Sequence, residues 1–154
     1  MAAFITEPAS ENYTQHHYAI FRATDVETAW TSLLEVKNKV NAKAAVDVAP
    51  DNYKSNEIYQ LAVGNYYGDV MSQAFAGLSD PYFMRMDDMI IMANSVNAIR
   101  SIIDGVRKGN TLANDAAFQD LTGQFSNEPQ FLMYSSLARS PYIYQNILDE
   151  SFAK

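Results

Sequence analysis

Residues 80–109, DPYFMRMDDMIIMANSVNAIRSIIDGVRKG, decide the fold. Tyr82, Met84 and Met86 alternate with Phe83 and Arg85. After Asp87-Asp88, Met89, Ile91 and Ala93 alternate with Ile90 and Met92. A period of two marks a strand, and two such runs parted by two turn-forming residues predict an antiparallel hairpin. Asn94-Ser95 then caps a helix whose buried stripe is Val96, Ile99, Ile102, Ile103 and Val106. Arg107 and Lys108 stand where the helix dipole favours cations, and Gly109 stops the helix.

Upstream, Tyr18 to Ala23 is almost wholly apolar or aromatic, which suits a central strand covered on both faces. Thr24-Asp25-Val26-Glu27 has the spacing of a capping box with Thr24 as the cap. The helix it opens carries Val26, Ala29, Trp30, Leu33 and Val40 on one face. Between Asn41 and Asn56 the pattern lapses into small residues and a turn at Pro50-Asp51-Asn52, with room for an edge strand at Ala45–Val48. Glu57 to Val63 is the next strand. Tyr67, Val70, Met71, Ala74, Phe75 and Leu78 recur at helical spacing and predict a short helix.

Downstream of Gly109, Asn114 or Asp115 caps a helix carrying Phe118, Leu121 and Phe125. Gln130 to Ser135 reads as the last strand, and Ser140-Pro141 opens a final helix. The predicted order is β-α-β-α-β-β-α-α-β-α. Strands and helices do not alternate strictly, so the class is α+β: a mainly antiparallel sheet of about five strands backed by helices. Residues 1–15 are small, polar and proline-containing and read as a partly ordered lead-in. Residues 16–154 then form a single α+β domain.

Composition narrows the chemistry. A chain of 154 residues with 48% hydrophobic and 19% charged residues is globular. The net charge of −7, with lysines and arginines scattered, argues against nucleic acid, which needs a clustered basic footprint. The lack of cysteine removes disulfides, thiolate metal sites and cysteine nucleophiles. No apolar run approaches the roughly 20 residues of a membrane helix, so no direct membrane insertion by this segment is expected. The first residues lack the basic flank and apolar core of a signal peptide. A cytoplasmic protein, or a domain excised from a longer exported chain, fits that start.

No nucleophile elbow, phosphate loop, dinucleotide fingerprint or zinc-protease motif occurs, so no catalytic residue, metal ligand or cofactor is assigned. His16-His17 would point to opposite faces of a strand, which suits surface positions better than one metal. Asp87-Asp88, with Asp80, is the sharpest carboxylate grouping, but aspartate is also a good turn residue. Met84, Met86, Met89 and Met92 would make a soft-metal cluster only if the hairpin register placed them together, and methionine is also an adaptable core filler. Ten tyrosines are the remaining oddity. Because tyrosine favours interfaces, Tyr66, Tyr67, Tyr142 and Tyr144 are candidates for a ligand or partner surface.

The succession IYQLAVGNYYGDVMSQAFAG, YFMRMDDMIIMANS, VNAIRSIIDGVRKGNTL and NDAAFQDLTGQFSNEPQFLMYSSL resembles a domain-of-unknown-function family of long bacterial envelope-associated proteins, over about residues 57–148. The matching features are structural, so the resemblance implies a context and no activity. It implies a domain of a longer chain in the cell envelope, periplasm or extracellular space, with other domains of that chain or another envelope protein as partners. The expected function is a non-catalytic binding or assembly module. The alternatives are a hydrolase-type enzyme using Asp80, Asp87 and Asp88, or a small-ligand or metal-binding domain using the methionines.

Overall fold

The hairpin forms as its alternation requires. In the computed structural model, which describes residues 2–8, 15–46, 49–64 and 77–124, Tyr82–Met86 and Met89–Ala93 pair antiparallel with Met86 opposite Met89 and Met84 opposite Ile91. Gln15–Arg22 runs antiparallel along the other side of Met89–Ala93, with Ile20 beside Ile91 and Ala19 beside Met92. Ile20, Ile91 and Met84 therefore make a row on one face of the sheet. Ala19, Met92, Phe83 and Tyr59 make the neighbouring row on the other.

The strands in chain order are β1 (Ala2–Pro8), β2 (Gln15–Arg22), β3 (Asp51–Tyr53), β4 (Asn56–Gln60), β5 (Tyr82–Met86) and β6 (Met89–Ala93). They lie in the order β1-β2-β6-β5-β4-β3, and all the pairings are antiparallel. Helices α1 (Val26–Lys43), α2 (Val96–Arg107) and the short α3 (Ala116–Thr122), with a 3-10 turn at Leu112–Asn114, complete the described elements. The fold is α+β, as the sequence predicts.

Each sheet face has its own helix. Val26, Ala29, Trp30, Leu33 and Leu34 of α1 pack against Ala19, Leu61, Leu78, Phe83, Ile90 and Met92. Ala98, Ile99 and Ile103 of α2 pack with Tyr18, Ile58, Met84, Ile91 and Ala93. A sheet covered on both faces needs apolar residues at successive positions, which is why β2 and β6 read as continuous apolar runs. Ile99 and Phe83 are wholly buried. Val106, placed by its spacing in the stripe of α2, is 46% exposed.

Several boundaries differ from the sequence reading, each for a physical reason. Ala2–Pro8, predicted as lead-in, pairs with residues 15–21 of β2 and is the edge strand on that side of the described sheet. Asp25, not Thr24, caps α1: its carboxylate accepts from the Thr28 amide at 3.0 Å and the Thr28 hydroxyl at 2.7 Å. Glu27 leaves the expected box because Arg85 claims it. Helix α1 runs on to Lys43, Ala45 and Val46 are not strand, the rest of the edge strand expected at Ala45–Val48 lies outside the described residues, and a described edge strand falls at Asp51–Tyr53. Ser95 caps α2 as predicted, accepting from the Ala98 amide at 3.1 Å. Most of the helix predicted over Tyr67–Leu78, the strand Gln130–Ser135 and the helix after Ser140 lie outside the described residues.

Candidate functional site

On the α1 face of the sheet, the side chains beyond the core row turn polar and enclose an open concavity of about 660 Å³. Its lining is Trp30 of α1, Asn52, Ser55, Asn56 and Glu57 of the β3–β4 hairpin, Arg85 of β5 and Asp87 of the turn after it. The strand alternation explains the membership. Residues 57 and 59 share the α1 face, as do 83 and 85, while Ile58 and Met84 go to the α2 face.

Trp30, the one aromatic side chain of the lining, belongs to a triad with Tyr59 and the buried Phe83. Trp30 meets Tyr59 and Phe83 edge-on, with centroids 5.8 and 5.6 Å away, and Tyr59 stacks on Phe83 at 5.6 Å. Such geometry matches positive ring edges to negative faces and fixes the orientation of all three rings. Lys37 Nζ lies 5.4 Å from the Tyr59 ring centroid.

Charge organises the rim. Arg85 donates through Nη2 to Glu27 at 2.6 Å and through Nε to the Asp87 carbonyl at 3.2 Å. The hydrogen bond and charge of Arg85 hold the Glu27 carboxyl below its ordinary value, and the same bond raises Arg85. The Tyr59 hydroxyl donates to Glu57 at 2.6 Å. Because the carboxylate stabilises the protonated phenol, and burial adds to this, Tyr59 is pushed up to about 12.

The opposite side of the β3–β4 hairpin is tied to α2. Arg100 grips Asp51 with two nitrogens, at 2.8 to 3.2 Å. Asp104 accepts from Lys54 at 2.5 Å and from the Tyr53 hydroxyl at 3.1 Å, and Arg107 donates to the Lys54 carbonyl at 2.8 Å. Lys54 and Arg100 both lie 5.1 Å from the Tyr53 ring centroid. The turn itself is Lys54-Ser55, with φ of 49° and 67°. Positive φ at both centre positions defines the tight hairpin turn for which Asn-Gly is the favoured sequence. Side chains with a Cβ resist that region by roughly 1–2 kcal/mol per residue. Asn56 braces the turn by donating to the carbonyls of Tyr53 and Lys54.

The candidates from the sequence are dispersed. Asp80 stands before β5, with φ of 43°, and its carboxylate accepts from the Gly64 amide at 2.6 Å. Asp87 and Asp88 lie past the other end of that strand, roughly 20 Å away by strand rise. Asp88 pairs with Arg22 at 2.5 Å. These carboxylates thus form no single acid/base pair with Asp80. Met84, Met86 and Met89 share the α2 face by register, whereas Met92 packs on the α1 side, so the four methionines do not converge.

His16 and His17 occupy opposite faces. His16 Nδ1 is 3.1 Å from the Tyr18 hydroxyl, and the His17 ring lies where a Cβ on Gly77 would meet it at 2.6 Å. Burial, then the neighbouring His16, lowers the pKa of His17. Among the described residues no three histidine, cysteine or acidic side chains are grouped to hold a metal ion, and no helix is long and apolar enough to cross a membrane. Tyr66, Tyr67, Tyr142 and Tyr144 lie outside the described residues.

The concavity was not foreseen from the sequence, where Trp30 reads as core and Asp87 as turn. One signal does point to it: Arg85 is the lone charge in an otherwise apolar strand and shares a face with Phe83. Comparison with family models, with curated proteins and with solved structures finds no match for this chain.

Proposed function

We propose that this chain is a non-catalytic binding or assembly module, a domain of a larger bacterial envelope-associated protein, and that the concavity is its contact face. The partner is another domain of the same chain or another envelope protein. The observation that carries this reading is the lining of the concavity: an indole braced from behind by two other rings, a guanidinium, amides and carboxylates around an open polar depression. Tryptophan and arginine are the side chains that concentrate binding energy at protein contacts, and amides and carboxylates supply a polar rim. The open shape suits a protein surface better than an enclosed small molecule. The dispersal of Asp80, Asp87 and Asp88 into turn and ion-pair contacts favours this reading over the hydrolase alternative.

The test is site-directed photo-crosslinking in cells that make the natural full-length protein. A crosslinking residue at Ser55 or Asn52 should yield discrete adducts to an envelope protein or to a neighbouring domain. The same residue at Ser101, exposed on α2, should yield none of them. Adducts equally abundant at all three positions, or a catalytic turnover lost in Trp30→Ala and Arg85→Gln, would overturn the reading.

A further inference from the structure

We propose that the β3–β4 hairpin is a salt-sensitive flap, hinged at Tyr59-Gln60 and held closed on α2 by the Asp51–Arg100 and Lys54–Asp104 ion pairs. When it opens, one wall of the concavity leaves with it.

Three independent observations support the flap. The first is its attachment. Strand β4 pairs with β5 only at Tyr59 and Gln60, continued by the Leu61 amide on the Pro81 carbonyl at 2.9 Å, so residues 51–58 form a ladder only with themselves. The root is doubly secured, because buried Asn41 of α1 donates to the Gln60 carbonyl and accepts from the Ala62 amide, both at 2.9 Å. A fixed root and a self-paired tip define a hinge.

The second is the turn. Lys54 and Ser55 hold the positive φ of a tight two-residue hairpin turn, and Asn56 braces it through the carbonyls of Tyr53 and Lys54, so the tip is held together by contacts of its own, apart from those to α2. The third is the closing force. Ile58 is buried and Tyr53 partly so, but the other contacts of the tip with α2 are charged or polar and part-exposed. Interactions of that kind are modest and screened by salt, unlike apolar burial.

The flap has two working faces. Tyr53 and the paired side chains of Asp51 and Lys54 lie toward α2, while Asn52 and Glu57 share the opposite face and line the concavity with Ser55 and Asn56. Ionic strength, or a partner that competes for Asp104 or Arg100, would therefore set how much of the contact face is assembled. That consequence rests on the binding reading above; the flap motion does not.

Hydrogen–deuterium exchange on the full chain at low and high salt tests the motion without any partner. Exchange in residues 51–58 should rise roughly two- to tenfold between 0.02 and 0.5 M sodium chloride, as the pairs are screened. Exchange in β6 and α2 should stay level. Arg100→Gln with Asp104→Asn should give the fast exchange already at low salt. Ser55→Gly, which touches neither pair, should leave the salt dependence of the hairpin as it is in the parent. Hairpin exchange that stays in step with β6 at both salts, or a hairpin carrying Arg100→Gln with Asp104→Asn that exchanges as slowly as the parent at low salt, would overturn the proposal. Crosslinking from Ser55 that follows salt while the flap exchange does not would separate the failure of this inference from that of the binding reading.

Discussion

Tyr59 shows how one side chain joins the apolar core on the α1 face to the charged lining of the concavity. Its ring stacks on Phe83 and its hydroxyl donates to Glu57, so the phenol is held near 12. Glu57→Gln keeps an acceptor of the same shape and removes the charge. The phenol of Tyr59 should then fall toward its ordinary 10.0, read by NMR of the tyrosine ring carbons across alkaline pH. A value unmoved by the substitution would mean that burial, not the carboxylate, sets the shift. Other single residues have equally local roles. Asp80 and Gly64 exchange two hydrogen bonds, amide to carboxylate and amide to carbonyl, that tie the backbone after β4 to the backbone before β5. Gly77 gives room to the His17 ring. None of these contacts can be read from spacing, because the partners are 16 and 60 positions apart and the register that unites them is a property of the sheet.

Among the elements, α1 and the β4 root are joined by Asn41, the only polar side chain buried among the described residues. Asn41→Ala would leave the Gln60 carbonyl and the Ala62 amide without their partner, and the expected cost is about 1–3 kcal/mol. A lower urea midpoint with an unchanged slope would report it. A midpoint equal to that of the parent would show that water replaces the side chain freely. In sequence, Asn41 sits where the helical pattern lapses, and nothing there distinguishes a bridge from a helix end. What is readable is what periodicity controls. The β5–β6 hairpin, the Ser95 cap and the two-sided burial of β2 follow from alternation and capping chemistry. What is not readable is what pairing controls. Pro50-Asp51-Asn52 looks like a turn because its residues are turn formers, and Asp51–Tyr53 becomes a strand by pairing with residues 56–58 while Arg100 reaches across to Asp51. Ala2–Pro8 likewise becomes a strand by pairing with β2. The concavity falls in the same class, since Trp30, Glu57 and Arg85 come from three elements.

For the molecule as a whole, the shifted groups fix how stability follows pH. Asp25, Glu27 and Asp104 are held below 3.8, 4.5 and 3.8 by the Thr28 amide, by Arg85 and by Lys54 respectively. Their stabilisation is complete above those ordinary values and is lost as pH falls through the lower, folded ones. Lys54 is raised above 10.5 by Asp104, and Tyr59 is raised from 10.0 to about 12. Their contributions are complete below about 10 and are lost as pH climbs through the folded values. His17 acts between these limits. Burial lowers it from 6.5, so the unfolded chain takes up a proton at a pH where the folded chain does not. Stability therefore declines as pH drops below 6.5 and levels off once His17 is protonated in the folded state as well. The urea midpoint should be flat from about pH 6.5 to 10, slope gently down below 6.5, and fall more steeply below 4.5. His17→Gln keeps a polar side chain and cannot titrate, so the gentle slope should vanish while the acid limb below 4.5 stays. A slope that survives in His17→Gln would assign it to another group, and would leave the packing of His17 on Gly77 with no part in the pH response.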